Sequence, residues 1–233
     1  MAAARGRARS ILLAGDPVLS RACRRDLRPR MAARGRARSI LLAGDPVLSR
    51  ACRPLVRSEL PSARLLADEL LRAMRRDDGR GLAAPQLGEA VRLLVVQDGR
   101  NFLDAPGPAA LVNPRVLDAS SEHVWEWESC LSVPGYAALV LRPRTVEVEF
   151  ETLHQDGRAS SVERRTLTGE SARVFQHEAD HLDGVLFTDI AARGSLIHES
   201  AAASPATRRR VLQRVLAAAA EDYEEYDDDD APG

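Results

Sequence analysis

The five residues His177-Glu178-Ala179-Asp180-His181 constrain this chain more than any other stretch. Histidines at i and i+4 lie on one face of a helix about one turn apart, so both imidazoles can bind a single metal ion. The glutamate beside the first histidine can then reach a water held by that ion and act as general base. The alternative is a polar helix surface carrying two unrelated histidines. The pentad leaves the third ligand open, and the third ligand separates one class of metalloenzyme from another.

A chain of 233 residues is long enough to bury a full core and predicts one domain with tails. Its 45% apolar and 29% charged content reads as soluble and globular. Net charge of -1 gives no electrostatic case for nucleic acid or acidic substrates. No apolar run approaches the length of a membrane span. Every basic side chain is arginine. The cysteines, Cys23, Cys52 and Cys130, are sparse and odd in number, which argues against a disulfide framework and for a reducing compartment.

The N-terminus contains a duplication: Ala3 to Arg24 reads AARGRARSILLAGDPVLSRACR, and Ala32 to Arg53 reads the same. Solenoid repeats diverge and come in threes or more, so this is no repeat architecture. Met31 opens the second copy much as Met1 opens the first, and only the second copy runs on into the remaining domain. We therefore expect residues 1–31 to be a dispensable, disordered extension. An arginine-rich import leader is the competing reading. It is the weaker one, because the duplicated unit includes Ile11 to Cys23, which looks like folded-domain sequence. Residues 32–200 are then the catalytic domain, 201–220 a C-terminal helix and 221–233 an acidic disordered tail.

Periodicity supplies the elements. Leu66, Leu70 and Met74 predict an amphipathic helix over Ser62 to Met74, ended by Asp77-Asp78-Gly79. Val91 to Val96 is an apolar run of strand length, and Ala110 to Val116 is a second candidate. Thr145 to Phe150 alternates, with Val146, Val148 and Phe150 on one face, and pairs with Ser160 to Leu167 across a turn at Asp156-Gly157. Glu170 to Leu182 is the metal-site helix, stopped by Gly184. A last helix starts at Ser204-Pro205, with Val211, Leu212, Val215 and Leu216 as its apolar face. Trp125 and Trp127 read as strand residues, one inward and one exposed; His123 and His154 read as surface residues. The order predicts an α+β fold: antiparallel sheets around a central metal-site helix, with N-terminal and C-terminal helices.

Two sources of a third ligand stand open. Downstream, His198 and Glu199 follow at a distance suited to a zinc endopeptidase. Upstream, Glu128-Ser129-Cys130-Leu131-Ser132 holds the only cysteine outside the duplicated segment, and a thiolate with two imidazoles makes a good tetrahedral site with one position left for water. An ordinary buried cysteine is the plain alternative. Gly79-Arg80-Gly81-Leu82-Ala83-Ala84-Pro85-Gln86 adds glycines that let backbone approach a ligand and a carboxamide that can donate to an oxyanion.

Together these three segments resemble the peptide deformylase family: Gly79 to Gln86 its GxGLAAxQ motif, Glu128 to Ser132 its EGCLS motif, and Gln176 to His181 its QHExDH motif. Ile40 to Leu48 resembles the family's opening segment, and the likeness covers roughly residues 38 to 192. The resemblance implies that Cys130, His177 and His181 bind one divalent metal ion, Fe(II) foremost with Zn(II), Ni(II) or Co(II) as alternatives. It implies Glu178 as the catalytic acid/base, the Gln86 side chain and Leu131 N–H as oxyanion donors, and the Gly81 backbone as a substrate contact. The activity implied is removal of the formyl group from the formylmethionine of nascent polypeptides in the bacterial cytoplasm, near the ribosomal exit tunnel, with no membrane and no sequence-specific nucleic-acid partner. A preference for methionine implies a hydrophobic side-chain pocket, with Val174 either as one wall or, equally, as plain core. Arg208, Arg209, Arg210 and Arg214 offer a ribosomal RNA contact, against the preferred reading of a solvated basic face. Ser129 replaces the usual glycine and is strained if that position needs positive φ. Arg80 replaces a residue that is often aliphatic. Asp180 is expected to pair with an arginine and not to take part in the chemistry.

Overall fold

The computed structural model describes residues 38–97 and 107–227, with side chains to residue 220. The expected extension at 1–31 and the end of the acidic segment, 228–233, lie outside the described residues. Helix α1 (Leu60–Arg76) leads into strands β1 (Gly81–Ala83), β2 (Leu93–Val96), β3 (Ala109–Ala119), β4 (His123–Cys130), β5 (Val133–Pro143), β6 (Thr145–Thr152) and β7 (Glu163–Thr168). Helices α2 (Glu170–Leu182) and α3 (Phe187–Ile190), the short strand β8 (Ile197–His198), and helices α4 (Glu199–Ala202) and α5 (Pro205–Asp227) follow. The strands form two antiparallel sheets, a five-stranded one ordered β1-β2-β3-β6-β7 and a three-stranded one ordered β4-β5-β8. The expected α+β architecture is the one observed.

The apolar run at β2 is continuous because both of its faces are covered. Leu93 and Val95 join the cluster formed by Ala63, Leu66, Leu70 and Met74 of α1, while Leu94 and Val96 face the cluster containing Phe175, Ala179 and Leu182 of α2. The period of two sends neighbours to opposite faces, so a doubly covered strand must be apolar at every position. In β6, Val146, Val148 and Phe150 all face α2 and are at most 1% exposed.

Helix α2 lies between the sheets. Ala172, Phe175, Ala179 and Leu182 form the stripe buried against the five-stranded sheet, as spacing of three and four residues requires. The opposite stripe, with Arg173, His177 and Asp180, meets Glu128 of β4 and Arg142 of β5. The helix stops at Asp183, and Gly184 follows at φ +77° with no room for a Cβ beside the backbone of Ser49 and Arg50. The sheets on either side fix its rotation.

On the far face of the three-stranded sheet, α5 packs Val211 and Val215 on Leu139, with Trp125, Trp127 and Leu212 at the margins. Three expectations change here. Leu216 is 46% exposed and not part of the apolar face. Trp125 and Trp127 are both half-buried on the same side, because residues two apart in a strand share a face. Helix α5 continues to Asp227, past the expected end at residue 220, as the helix-favouring Ala and Glu residues allow.

Phe175 is fully buried between α2 and the five-stranded sheet. Phe175→Ala is expected to cost about 3–5 kcal/mol, read as a lower denaturant midpoint at unchanged slope in equilibrium unfolding.

Candidate metal centre and active site

Cys130 ends β4, and His177 and His181 lie one turn apart on α2, so the packing of the three-stranded sheet on the helix brings the three together. Their ligand atoms all lie within 4.8 Å of one another. Cys130 Sγ is 3.3 Å from His181 Nε2. Metal–thiolate and metal–imidazole bonds of about 2.3 and 2.0–2.1 Å at tetrahedral angles separate sulfur from nitrogen by about 3.6 Å, so the donor set fits a divalent ion. His198 and Glu199 are not in this cluster: His198 Nδ1 is engaged with Ser200 Oγ at 2.8 Å. Among the described residues Cys130 is the third potential ligand grouped with the two histidines.

Sequence reasoning quoted Glu128 only as part of a motif, yet the site is organised around it. Its carboxylate accepts from Arg142 Nε (2.6 Å) and Nη2 (2.9 Å), from Arg173 Nη1 (2.6 Å) and from His177 Nδ1 (2.9 Å). A carboxylate on Nδ1 fixes the proton there and leaves Nε2 as the free lone pair for a metal. Arg142 also reaches Asp180 at 2.7 Å, which is the arginine pairing expected for Asp180. Burial pushes the Glu128 carboxyl up, but the bonds from His177 and Arg142 more than offset it and hold the group well below the usual carboxylate range. A depressed carboxyl stabilises the fold above the unfolded pKa of about 4.3, and that contribution is lost as pH falls towards the folded value.

Gln86 is buried, and its Oε1 accepts from the Ala83 N–H at 2.8 Å. That bond sets the amide so that Nε2 points at Ser132 Oγ (3.1 Å) and Cys130 Sγ (3.6 Å). The Ser132 N–H also approaches Cys130 Sγ at 3.4 Å, a contact the sequence reading did not anticipate. Glu178 is 4% exposed, and its Oε2 is buried without a hydrogen-bond partner. Burial, reinforced by the charges of Glu128 and Asp180 and opposed by those of His177 and Arg142, pushes its carboxyl up to about 7. Gly81 lies directly against it: a Cβ there would sit 2.3 Å from Glu178 Oε1.

These groups open into one cavity of about 440 Å³ whose lining includes Gly81, Gln86, Cys130, Leu131, His177 and Glu178. Ser129 lines it without strain, since the non-glycine residues at positive φ are Asp78 and Asn113. Val174 serves both readings given to it, lining the cavity and packing against the α2 core. Arg80 is at the rim, paired with Glu170 at 2.7 Å and donating to the Gln97 carbonyl at 3.3 Å.

Residues 37–195 match the model of the family described as polypeptide deformylase. The chain belongs to that family. It is 42% identical over 128 residues to peptide deformylase 2 of Nostoc, covering 53% of this chain and 69% of that protein. It is likewise 42% identical over 137 residues to the peptide deformylase of Mesorhizobium japonicum, covering 58% and 73%. Among solved structures, the Synechococcus elongatus peptide deformylase in complex with actinonin superposes with a TM-score of 0.59 at 33% identity, covering 67% of this chain and 80% of that one. The Met-Ala-Ser-bound enzyme of Acinetobacter baumannii gives 0.59 at 32%, covering 66% and 98%. The present chain is thus a metal-dependent deformylase, a hydrolase removing the N-formyl group from newly made polypeptides.

Two substitutions check the geometry. Glu128→Gln is expected to lower metal affinity by about 10–100-fold, read as metal retained after dialysis against a chelator. Gly81→Ala is expected to abolish turnover by displacing Glu178 while leaving the circular dichroism spectrum and melting transition near wild type.

Proposed function

We propose that Cys130, His177 and His181 hold a single divalent ion, Fe(II) in the cell, and that Glu178 moves the proton in hydrolysis of the formyl–methionine amide. Such an ion, when bound, polarises the formyl oxygen and lowers the pKa of water beside it. The observation that carries the reading is the Glu178 carboxyl, buried, without a partner at Oε2 among the described residues, and lining the same cavity as Cys130 and His177. A carboxyl raised by burial towards neutrality both accepts and returns a proton at working pH, and the charge of a nearby cation moves its value back down.

Glu178 takes the proton of the attacking water and delivers it to the departing amine, so that formate and a free N-terminus leave. Gln86 Nε2, oriented by its bond to Ala83, donates to the oxygen on which charge develops, and the Leu131 N–H is the second donor. Gly81 passes the peptide backbone close to Glu178, because a side chain there would occupy the carboxyl's own volume. Glu128 does none of this chemistry; it holds His177 in its tautomer and rotation.

In this reading the enzyme works in the bacterial cytoplasm beside the ribosome, on emerging formylmethionyl chains. Arg208 and Arg214 are committed to the Ala202 and Gly194 carbonyls, and Arg208 also stacks over Trp127, 5.9 Å from the ring centroid. Those contacts favour a structural use of the basic face over an RNA contact. No described helix is long and apolar enough to cross a membrane.

Formate release from formyl-Met-Ala-Ser by the iron-loaded protein tests the proposal. Glu178→Gln is expected to keep the metal and lose about 10²–10⁴ in kcat, whereas Cys130→Ala loses the metal itself. A Cys130→Ala protein that retains metal, with His198→Ala losing it, would instead support the endopeptidase arrangement.

A further inference from the structure

The wall of the cavity beyond the catalytic groups is charged where a methionine pocket needs hydrocarbon. Helix α2 presents one stripe to the cavity: His177 and Glu178, then Arg173 and Val174 one turn back, then Glu170 at its first turn. Spacing of three and four residues dictates that stripe. With a formyl carbon held between Glu178 and Gln86, a side chain of methionine's length reaches about one helical turn, roughly 5.4 Å. We take it to run along Val174 and Arg173 towards Glu170, the stripe of α2 that lines the cavity. Among the α2 residues in that lining Val174 is the single aliphatic group. Glu170 Oε1 is bonded to Arg80 Nη1 at 2.7 Å, and Arg173 Nε to Glu126 Oε2 at 3.1 Å.

We propose that the Arg80–Glu170 pair, seconded by Arg173–Glu126, sets this enzyme's side-chain specificity, admitting N-formyl peptides whose first residue is polar and of about methionine's length, such as glutamine, as readily as formylmethionyl peptides. The proposal rests on the deformylase reading and widens its substrate range. A thioether laid against these pairs strips water from charged groups without replacing the hydrogen bonds. A carboxamide accepts from Arg80 and donates to Glu170. Both side chains have room for this, being 50% and 54% exposed. Arg173 does not, since its nitrogens already serve Glu126, Glu128, Val124 and Val140.

The deciding variant is the double substitution Arg80→Leu with Glu170→Leu, which removes both charges together and so leaves neither unpaired. Two ratios are measured on wild type and variant: kcat/KM for formyl-Met-Ala-Ser over formyl-Gln-Ala-Ser, and affinity for the free tripeptides Met-Ala-Ser over Gln-Ala-Ser, followed by isothermal titration calorimetry. The expected wild-type preference for methionine is below about tenfold, and the apolar variant raises it by at least about tenfold in both ratios. A wild-type preference of tenfold or more, or a variant that leaves the ratios unchanged, overturns the proposal. Absence of formate from either peptide counts against the deformylase reading instead, and the tripeptide affinities then decide the pocket on their own.

Discussion

The carboxylate of Glu128 is the group on which the rest of the centre depends. Its side chain and that of Arg142 are each 5% exposed, and bringing two charges that far from water is costly unless every lone pair and proton finds a partner. Here four donors from Arg142, Arg173 and His177 meet two oxygens. The network joins β4, β5 and α2, so it ties the three-stranded sheet to the helix that carries two of the proposed metal ligands. Since Cys130 is two residues further along β4 than Glu128, the same bonds that set the rotation of His177 also set the distance of the thiolate from both imidazoles.

The α2 helix can be buried on two sides only because its residues divide cleanly by angle. Apolar positions 172, 175, 179 and 182 pay for the packing against the five-stranded sheet. The charged and ligating positions are thereby turned towards β4 and β5, and the cavity opens along the edge between the two stripes. A rotation of the helix by one residue would bury Arg173 in hydrocarbon and expose Phe175. The hydrophobic core thus selects the angle at which the site is assembled, before any metal enters.

Much of this was legible in the sequence, and the parts that were not share a cause. The limits of α2, the alternation in β6 and the three motifs that line the site were readable because each is a local pattern. The error over Trp125 and Trp127 and the neglect of Glu128 both come from under-using the period of two. Applied strictly from Cys130, that period puts 126 and 128 on the ligand face and 125 and 127 together on the other. The identity of the arginines facing Glu128 was out of reach, since nothing local singles out Arg142 and Arg173 among thirty-three arginines. The charged cavity wall was hidden for a related reason: Arg80 and Glu170 are separated by 90 positions and meet only because β1 packs on α2.

Glu178 shows how the structure divides its costs. A buried carboxyl oxygen that no described protein group bonds is available to a reacting water only where its surroundings fix its position. Three constraints do so here. The helix backbone fixes its Cα between the two histidines, Gly81 leaves room for the carboxyl and no more, and the paired charges of Glu128 and Arg142 are close enough to act on it but not to bond it. A protein donor at Oε2 would occupy the position a reacting water needs and lower the carboxyl's proton affinity together. That oxygen's freedom from protein donors among the described residues and its capacity to carry a proton are therefore one physical property.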